Sequence, residues 1–227
     1  MKCLRMSALV SSLVALLFVG AAWGYPVSVG DTIKIYNSVG TTSGGEWIVK
    51  TPAGVELFRT FCVELDEYLS TGDPFIVDDI SQTAVRGGVN TNAGDPLSND
   101  TKWLFWHYTQ GDLDDLVAGF TYGTDAGADG LQYAIWVLEE EMAATSNTLA
   151  NQLIAAAGLN SAGFAEDVAV INLEYPNCCH DCYAQDLLVA GEPSIPPQEE
   201  PVPEPSTILL TGLGILGAAY WGRRRKV

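Results

Sequence analysis

The feature that most limits the fold is the C-terminal stretch of residues 202–227, VPEPSTILLTGLGILGAAYWGRRRKV. It contains a Pro-Glu-Pro tripeptide, then fifteen uncharged residues from Thr207 to Trp221, then the basic cluster Arg223–Lys226. As a helix, the uncharged run would be about 22 Å long. It would span a hydrocarbon core of about 30 Å only if the bilayer thinned locally. Because basic residues stay in the cytoplasm, the sequence predicts a short transmembrane segment, with everything before it outside the inner membrane.

The same stretch carries a more specific pattern in Val202, Pro203, Glu204 and Pro205, followed by the glycine-spotted apolar run and the RRRK end. Together these residues resemble the PEP-CTERM sorting signal of Gram-negative bacteria. The resemblance implies processing by an exosortase, which is a membrane cysteine protease-transpeptidase. It also implies an inner-membrane intermediate, followed by delivery to the cell surface or extracellular matrix of an exopolysaccharide producer. An ordinary tail anchor is the alternative interpretation.

The N-terminus has the pattern of a secretory signal peptide. Lys2 and Arg5 precede the apolar run Leu9–Val19, and small residues follow it. This arrangement predicts cleavage between Gly24 and Tyr25. The chain therefore divides into a signal peptide (1–24), a folded domain (25–190), a Pro/Glu-rich linker (191–201) and the sorting signal (202–227).

The region between the two end segments is strongly acidic. Six of the 11 basic residues but only one of the 28 acidic residues lie in the end segments, which leaves 5 against 27 and a net charge of −22 for residues 25–201. Nucleic acids and anionic lipids bind basic surfaces. The charge therefore argues against both as partners and suits a secreted protein.

The first half of the domain is predicted to be β structure. Stretches at 27–36, 45–49, 55–68 and 76–80 combine β-branched and aromatic residues between turn signals. From residue 61 to 66 apolar and other side chains alternate, so odd-numbered and even-numbered residues should face opposite sides of a strand.

The middle of the domain is predicted to be helical. A helix capped by Asn99, Asp100 or Thr101 should carry the aromatic run that follows, and Leu131–Met142 and 148–157 have helical spacing. Asp129 is the expected cap of the second helix, and the acidic run at 139–141 should form a solvated patch. Strands return at 168–173 and 186–189. This order predicts an α+β fold, a β-rich sandwich or barrel-like domain with a helical insert.

Two residues in this domain stand in suggestive settings. Cys62 lies in Phe-Cys-Val, and Gln132 lies in Gln-Tyr-Ala-Ile-Trp. Together they resemble the thioester domains of bacterial surface adhesins, also called TQxA domains, where a strand Cys pairs with the Gln of a Thr-Gln-x-Ala-Ile-Trp motif at a helix start. The resemblance implies that Cys62 and Gln132 form the bonded pair of a non-enzymatic, covalent binding module. The chain departs from the family at Leu131, where the motif has Thr.

The chemistry of such a pair is simple. The Cys62 thiolate attacks the side-chain carbonyl carbon of Gln132, ammonia leaves and a thioester remains. An external amine then displaces the thiol and forms an amide. Aromatic neighbours are expected to exclude water. A position just inside a helix start is expected to aim backbone N–H groups of the Gln132 segment at the developing oxyanion.

Three further cysteines, Cys178, Cys179 and Cys182, cluster around His180. A zinc site normally draws its ligands from two separated loops, and export favours disulfides. The three are therefore disulfide candidates, and no metal or cofactor is expected. If Cys62 bonds to Gln132, one of the three is left over; if Cys62 pairs with the cluster, the thioester is excluded.

These observations predict an exported adhesion or binding module that is not an enzyme. Its expected partners are an exosortase, the inner membrane before processing, and an amine-bearing surface or matrix target, including one associated with exopolysaccharide. Nucleic acid is not expected. The alternative function is a non-reactive structural protein of an exopolysaccharide or biofilm matrix, stabilised by disulfides.

Overall fold

The fold is taken from a computed structural model, which describes residues 24–42, 44–85, 94–176 and 183–191. The elements there follow the predicted sequence of strands, helices and strands, and they confirm the α+β class. They are β1 Thr32–Asn37, β2 Trp47–Lys50, β3 Glu56–Thr60, β4 Pro74–Ser81, β5 Thr83–Ala84, β6 Asp95–Pro96, α1 Asn99–Gln110, α2 Leu113–Leu116, α3 Asp125–Leu138, α4 Thr148–Asn160, β7 Val168–Glu174 and β8 Tyr183–Ala190.

Six strands form one antiparallel sheet in the order β3-β2-β1-β4-β7-β8, and β5 and β6 pair separately. The residues that follow β3 join the two ends of this sheet. Cys62 lies opposite Leu187 of β8 in an antiparallel bridge, flanked by hydrogen bonds from Val63 N–H to Asp186 O and from Leu188 N–H to Phe61 O. Cys62 therefore lies where β8, at one end of the sheet order, meets the residues that follow β3, at the other end.

The sheet separates two groups of buried side chains. The helical core lies on the side of the helices and includes Phe61, Val63 and Leu131. The sheet core lies on the other face and includes Cys62 together with side chains from β1, β2, β4, β7 and β8. The predicted alternation thus holds from 61 to 63 and fails at Leu65, which packs against the sheet core, because the strand geometry ends before that residue.

Helix α3 begins earlier than predicted. Its N-cap is Thr124, whose side chain accepts a hydrogen bond from Gly127 N–H, so Asp129 lies inside the helix and is not its cap. Gln132 is the eighth residue of α3, and the expected place just inside a helix start is wrong. The backbone N–H groups around it are used within the helix and do not face an oxyanion. For α1 the cap is Ser98, one residue before the predicted candidates.

The acidic run after α3 is not the predicted solvated patch. Glu139 and Glu141 are 4% and 3% exposed, and only Glu140 between them faces solvent. The Glu139 carboxylate accepts a 2.6 Å hydrogen bond from the Ser98 hydroxyl, while Glu141 accepts one of 3.1 Å from Leu65 N–H. Polar partners inside the fold therefore replace water around both carboxyl groups.

Several predictions fall on residues outside the described ranges. They are the signal peptide up to residue 23, the linker and sorting segment from residue 192, and Cys178, Cys179 and Cys182. Cleavage between Gly24 and Tyr25 also stays a prediction. Along the described ranges, no helix has both the length and the apolar composition needed to cross a membrane.

Candidate functional site

The structure brings the two residues of the predicted thioester together. The Gln132 side chain pairs with the backbone of Cys62: its Oε1 accepts from Cys62 N–H at 3.1 Å, and its Nε2 donates to Cys62 O at 2.9 Å. Gln132 is fully buried and Cys62 is 4% exposed. The carboxamide is thus fixed in one orientation against the residue that carries the thiol.

The strand pairing explains why Cys62 has backbone groups to offer. In the bridge with Leu187, hydrogen bonds run from the residues on either side of Cys62, so its own N–H and C=O point away from β8. On the other side β2 pairs with β3 only as far as Trp47 opposite Thr60. Gln132 therefore occupies the place of a missing strand, which satisfies two buried groups that would otherwise lack partners.

Aromatic side chains enclose the thiol. The indole N–H of Trp47 donates to Cys62 Sγ at 3.1 Å. Trp136, one helical turn after Gln132, also packs in the sheet core with Cys62, and its ring meets that of Tyr133 edge to face at 5.9 Å. The Trp136 indole N–H is buried without a hydrogen-bond partner. The predicted exclusion of water by aromatic neighbours therefore has a structural basis in these rings.

The surroundings of Cys62 favour the neutral thiol. Burial raises its pKa to about 12, and nearby Glu67 adds to this, while the hydrogen bond from Trp47 acts in the opposite direction. Cys62 forms no disulfide and is a free, buried cysteine. Deprotonation must therefore occur together with attack or with a change in the surroundings of the thiol.

The departure from the family motif at Leu131 lies away from the thiol. Leu131 is fully buried in the helical core, whereas Cys62 and Trp136 pack in the sheet core. Because the two cores lie on opposite faces of the sheet, a residue at position 131 contributes to helix packing. The two hydrogen bonds between the Gln132 carboxamide and the Cys62 backbone form without a hydroxyl at position 131.

A loop between β1 and β2 covers the site, and the sequence analysis missed it. We call this loop the strap and define it as residues 38–42 and 44–46. Gly44 packs so closely on Gln132 that a Cβ atom there would lie 2.6 Å from Oε1 and 2.7 Å from Cδ. The only signal in the sequence is the run Thr-Thr-Ser-Gly-Gly, which resembles any polar turn.

A second feature that the sequence did not reveal is a buried pair of carboxyl groups, Glu64 and Glu141. Burial raises the pKa of Glu64 to about 10, and Glu141 raises it further, through its charge and a side-chain hydrogen bond, with smaller effects from Asp186 and Glu67. Glu64 Oε2 has no hydrogen-bond partner. The pair joins the Cys62 segment to the end of α3, because Glu141 also accepts from Leu65 N–H.

Other polar candidates have structural roles. His107 lies 2.9 Å from Asp112 through Nδ1 and packs on the ring of Trp103, with 4.6 Å between the ring centroids. Among the residues that the structure describes, no three His, Cys, Asp or Glu side chains are grouped so that they could hold a metal ion.

Comparison with known proteins identifies the end of the chain. Residues 201–226 match the family model of the PEP-CTERM protein-sorting motif. The chain is thus an exported protein that an exosortase processes at the membrane and that moves to the cell surface. No curated protein and no solved structure matches the chain.

Proposed function

We propose that the exported domain is an adhesion or binding module that forms an internal thioester between Cys62 and Gln132 and transfers it to amine-bearing targets. One observation carries this proposal: the buried Gln132 carboxamide is held by two hydrogen bonds against the residue that bears the buried thiol. The reaction is stoichiometric, so the module is not an enzyme. The sorting motif supports a place of action at the surface or in the matrix, after an inner-membrane intermediate in a Gram-negative cell.

In the closing step, Cys62 Sγ attacks Gln132 Cδ. The C–S bond forms as the bond from Cδ to Nε2 breaks, and the thiol proton leaves with the nitrogen as ammonia. Cys62 N–H already donates to Gln132 Oε1, so it polarises the carbonyl and stabilises the oxyanion as negative charge develops there. The Trp47 indole donates to Sγ and lowers the cost of thiolate character in a buried site.

In the transfer step, an uncharged primary amine attacks Cδ. The new C–N bond forms as the C–S bond breaks, and a proton from the amine returns to Sγ. The high pKa of the thiol makes the thiolate a poor leaving group until it is protonated, which protects the bond from slow attack by water. A lysine on a surface or matrix component, including one associated with exopolysaccharide, provides a suitable amine.

The mass of the full-length chain tests the proposal. Purified in mild detergent without reducing agent, the chain should be lighter by one ammonia, and methylamine should add its full mass and release one thiol. The Cys62→Ala and Gln132→Ala variants should lose both effects. Gln185→Ala is the matched control, because Gln185 is also a buried glutamine, and its side-chain amide donates to Glu64 O and Asp186 O and not to Cys62. An unmodified mass in the wild type would refute the thioester.

The alternative function is a structural matrix protein with no reactive bond. The buried, free Cys62 with its raised pKa favours this alternative, because a neutral thiol is unreactive. Gln132 would then serve only to satisfy the Cys62 backbone. Disulfides among Cys178, Cys179 and Cys182 would stabilise this protein. The state of Cys62 in non-reducing peptide masses separates the two functions, because a free or disulfide-bonded Cys62 favours the matrix protein and a Cys62–Gln132 link favours the covalent module.

A further inference from the structure

The strap covers a side of the Gln132 carboxamide and is a loop, not a helix or a strand. Gln132 lies on α3, and its carboxamide meets the Cys62 backbone on one side and Gly44 on another. The Cys62 side is tied into the sheet by the bridge to Leu187. The tip of the strap, residues 40–42 and 44, can move away without breaking a strand pair or the helix, whereas Ser38, Val39 and Glu46 at its base are joined by backbone hydrogen bonds.

Two aspartates of α3 bind the tip of the strap, residues 40–42, while Glu46 at its base is bound by Tyr108 and Arg59. Asp129 Oδ1 accepts from Thr41 N–H at 2.7 Å and Thr42 N–H at 3.1 Å, and Asp129 Oδ2 accepts from the Thr41 hydroxyl at 2.5 Å. Asp125 Oδ1 adds a bond of 2.8 Å from Gly40 N–H. Hydrogen bonds to a carboxylate are stronger than those between neutral groups. Asp129, which makes three of these four bonds, is therefore the main contact between α3 and the tip of the strap.

The backbone of the strap depends on glycine. Gly40 and Gly45 have φ values of +118° and +75°, in the region that other residues rarely adopt. A Cβ at Gly40 would lie 3.0 Å from Gly45 Cα. This tight bend brings Gly44 down onto Gln132, and nothing larger than hydrogen fits between them.

We propose that Asp129 is a positioning residue that holds the strap over Gln132 and thereby restricts which amines reach the Cδ atom. This inference rests on the proposed thioester and adds its specificity. While the strap is closed, an amine must displace Gly44 to reach the bond. Small amines should therefore react faster than amines on a bulky group, and a target lysine must lie on an extended, accessible segment.

The test compares a small and a large amine on the full-length chain. In the wild type, methylamine should react faster than Nα-acetyl-lysine at equal concentrations of free amine. Asp129→Ala should raise the rate with Nα-acetyl-lysine about tenfold relative to methylamine, since losing bonds to a charged acceptor shifts the strap toward an open position. Asp114→Asn, which changes an exposed acid on α2, should leave the ratio unchanged.

Two outcomes would overturn the inference. If the thioester forms but Asp129→Ala leaves the ratio of the two rates unchanged, the strap does not control access. If no thioester forms, the proposed function fails separately, and amide hydrogen exchange then tests the strap. The N–H of Cys62, which donates to Gln132 Oε1, should exchange about tenfold faster in the Asp129→Ala variant than in the wild type, and equal exchange rates would refute the role of Asp129.

Discussion

Replacing Gly44 with alanine should destabilise the domain through Gln132. A Cβ at position 44 would lie 2.6–2.8 Å from the Oε1, Cδ and Cγ atoms of Gln132. The carboxamide must then move and lose its two hydrogen bonds to Cys62, or the strap must lift from Asp129. Each lost bond contributes about 0.5–1.5 kcal/mol, and a buried group left unsatisfied costs about 1–3 kcal/mol. We expect a loss of about 2–4 kcal/mol in the free energy of unfolding.

Thermal unfolding measures this loss, and a second glycine provides the control. For a domain of this size a change of 1 kcal/mol shifts Tm by about 2–4 °C, so Gly44→Ala should lower it by about 4–16 °C. Gly158 lies on an exposed turn of α4, where a Cβ would approach nothing closer than 3.9 Å. The same substitution there should be neutral or stabilise by up to about 1 kcal/mol. Equal Tm values for Gly44→Ala and the wild type would refute the tight contact.

Two further predictions concern titration. Because the pKa of Glu64 is raised to about 10 from an unfolded value of 4.5, the folded chain keeps a proton that the unfolded chain loses, and stability should fall as pH rises between these values. Glu64→Gln should reduce that slope by up to about 1.4 kcal/mol per pH unit, and an unchanged slope in urea unfolding would contradict it. Trp47→Phe should slow iodoacetamide alkylation of free Cys62 about tenfold at fixed pH. Trp136→Phe is the control, because it removes an indole N–H that has no hydrogen-bond partner and should leave the alkylation rate unchanged. Equal rates for Trp47→Phe and the wild type would exclude the Trp47 indole as a hydrogen-bond donor to the thiolate.

The strands were predictable because their stretches combine β-branched and aromatic residues between turn signals. β1, β2, β4, β7 and β8 all fall in or beside stretches that the pattern marked, and Phe61, Cys62 and Val63 do face alternate cores. The pattern could not show that residues 61–63 pair with β8, since pairing across the whole domain depends on the register of a distant strand.

The start of α3 was missed because its glycines favour turns in isolation. Gly127 and Gly130 lie inside the helix for a tertiary reason. A Cβ at Gly127 would lie 2.2 Å from Thr121 O, and one at Gly130 would lie 2.8 Å from the side chain of Leu149. Close packing against neighbouring segments overrides the low helix propensity of glycine, and a single sequence does not reveal those neighbours.

The candidate site was predictable only in part. Cys62 and Gln132 were selected together from a motif, and the structure places them in contact. The strap and the burial of Glu64 and Glu141 were not predictable, because polar and acidic runs are usually solvated. Glu64 and Glu141 are buried here because a hydrogen bond between them and the backbone N–H of Leu65 replace water. The strap is held by carboxylates of α3, and all these partners come from distant parts of the chain.

The position of β8 as the last described strand has a consequence for how the protein matures. Thr60, whose hydroxyl bonds Leu188 O, is separated from it by 128 residues, and contacts of such long separation form slowly. Until they form, Cys62 is not yet buried in the sheet core and is not paired with β8, and exported chains meet an oxidising compartment. Maturation is therefore a competition between the speed of folding and the oxidation of Cys62, and only a chain that folds first retains the reduced thiol.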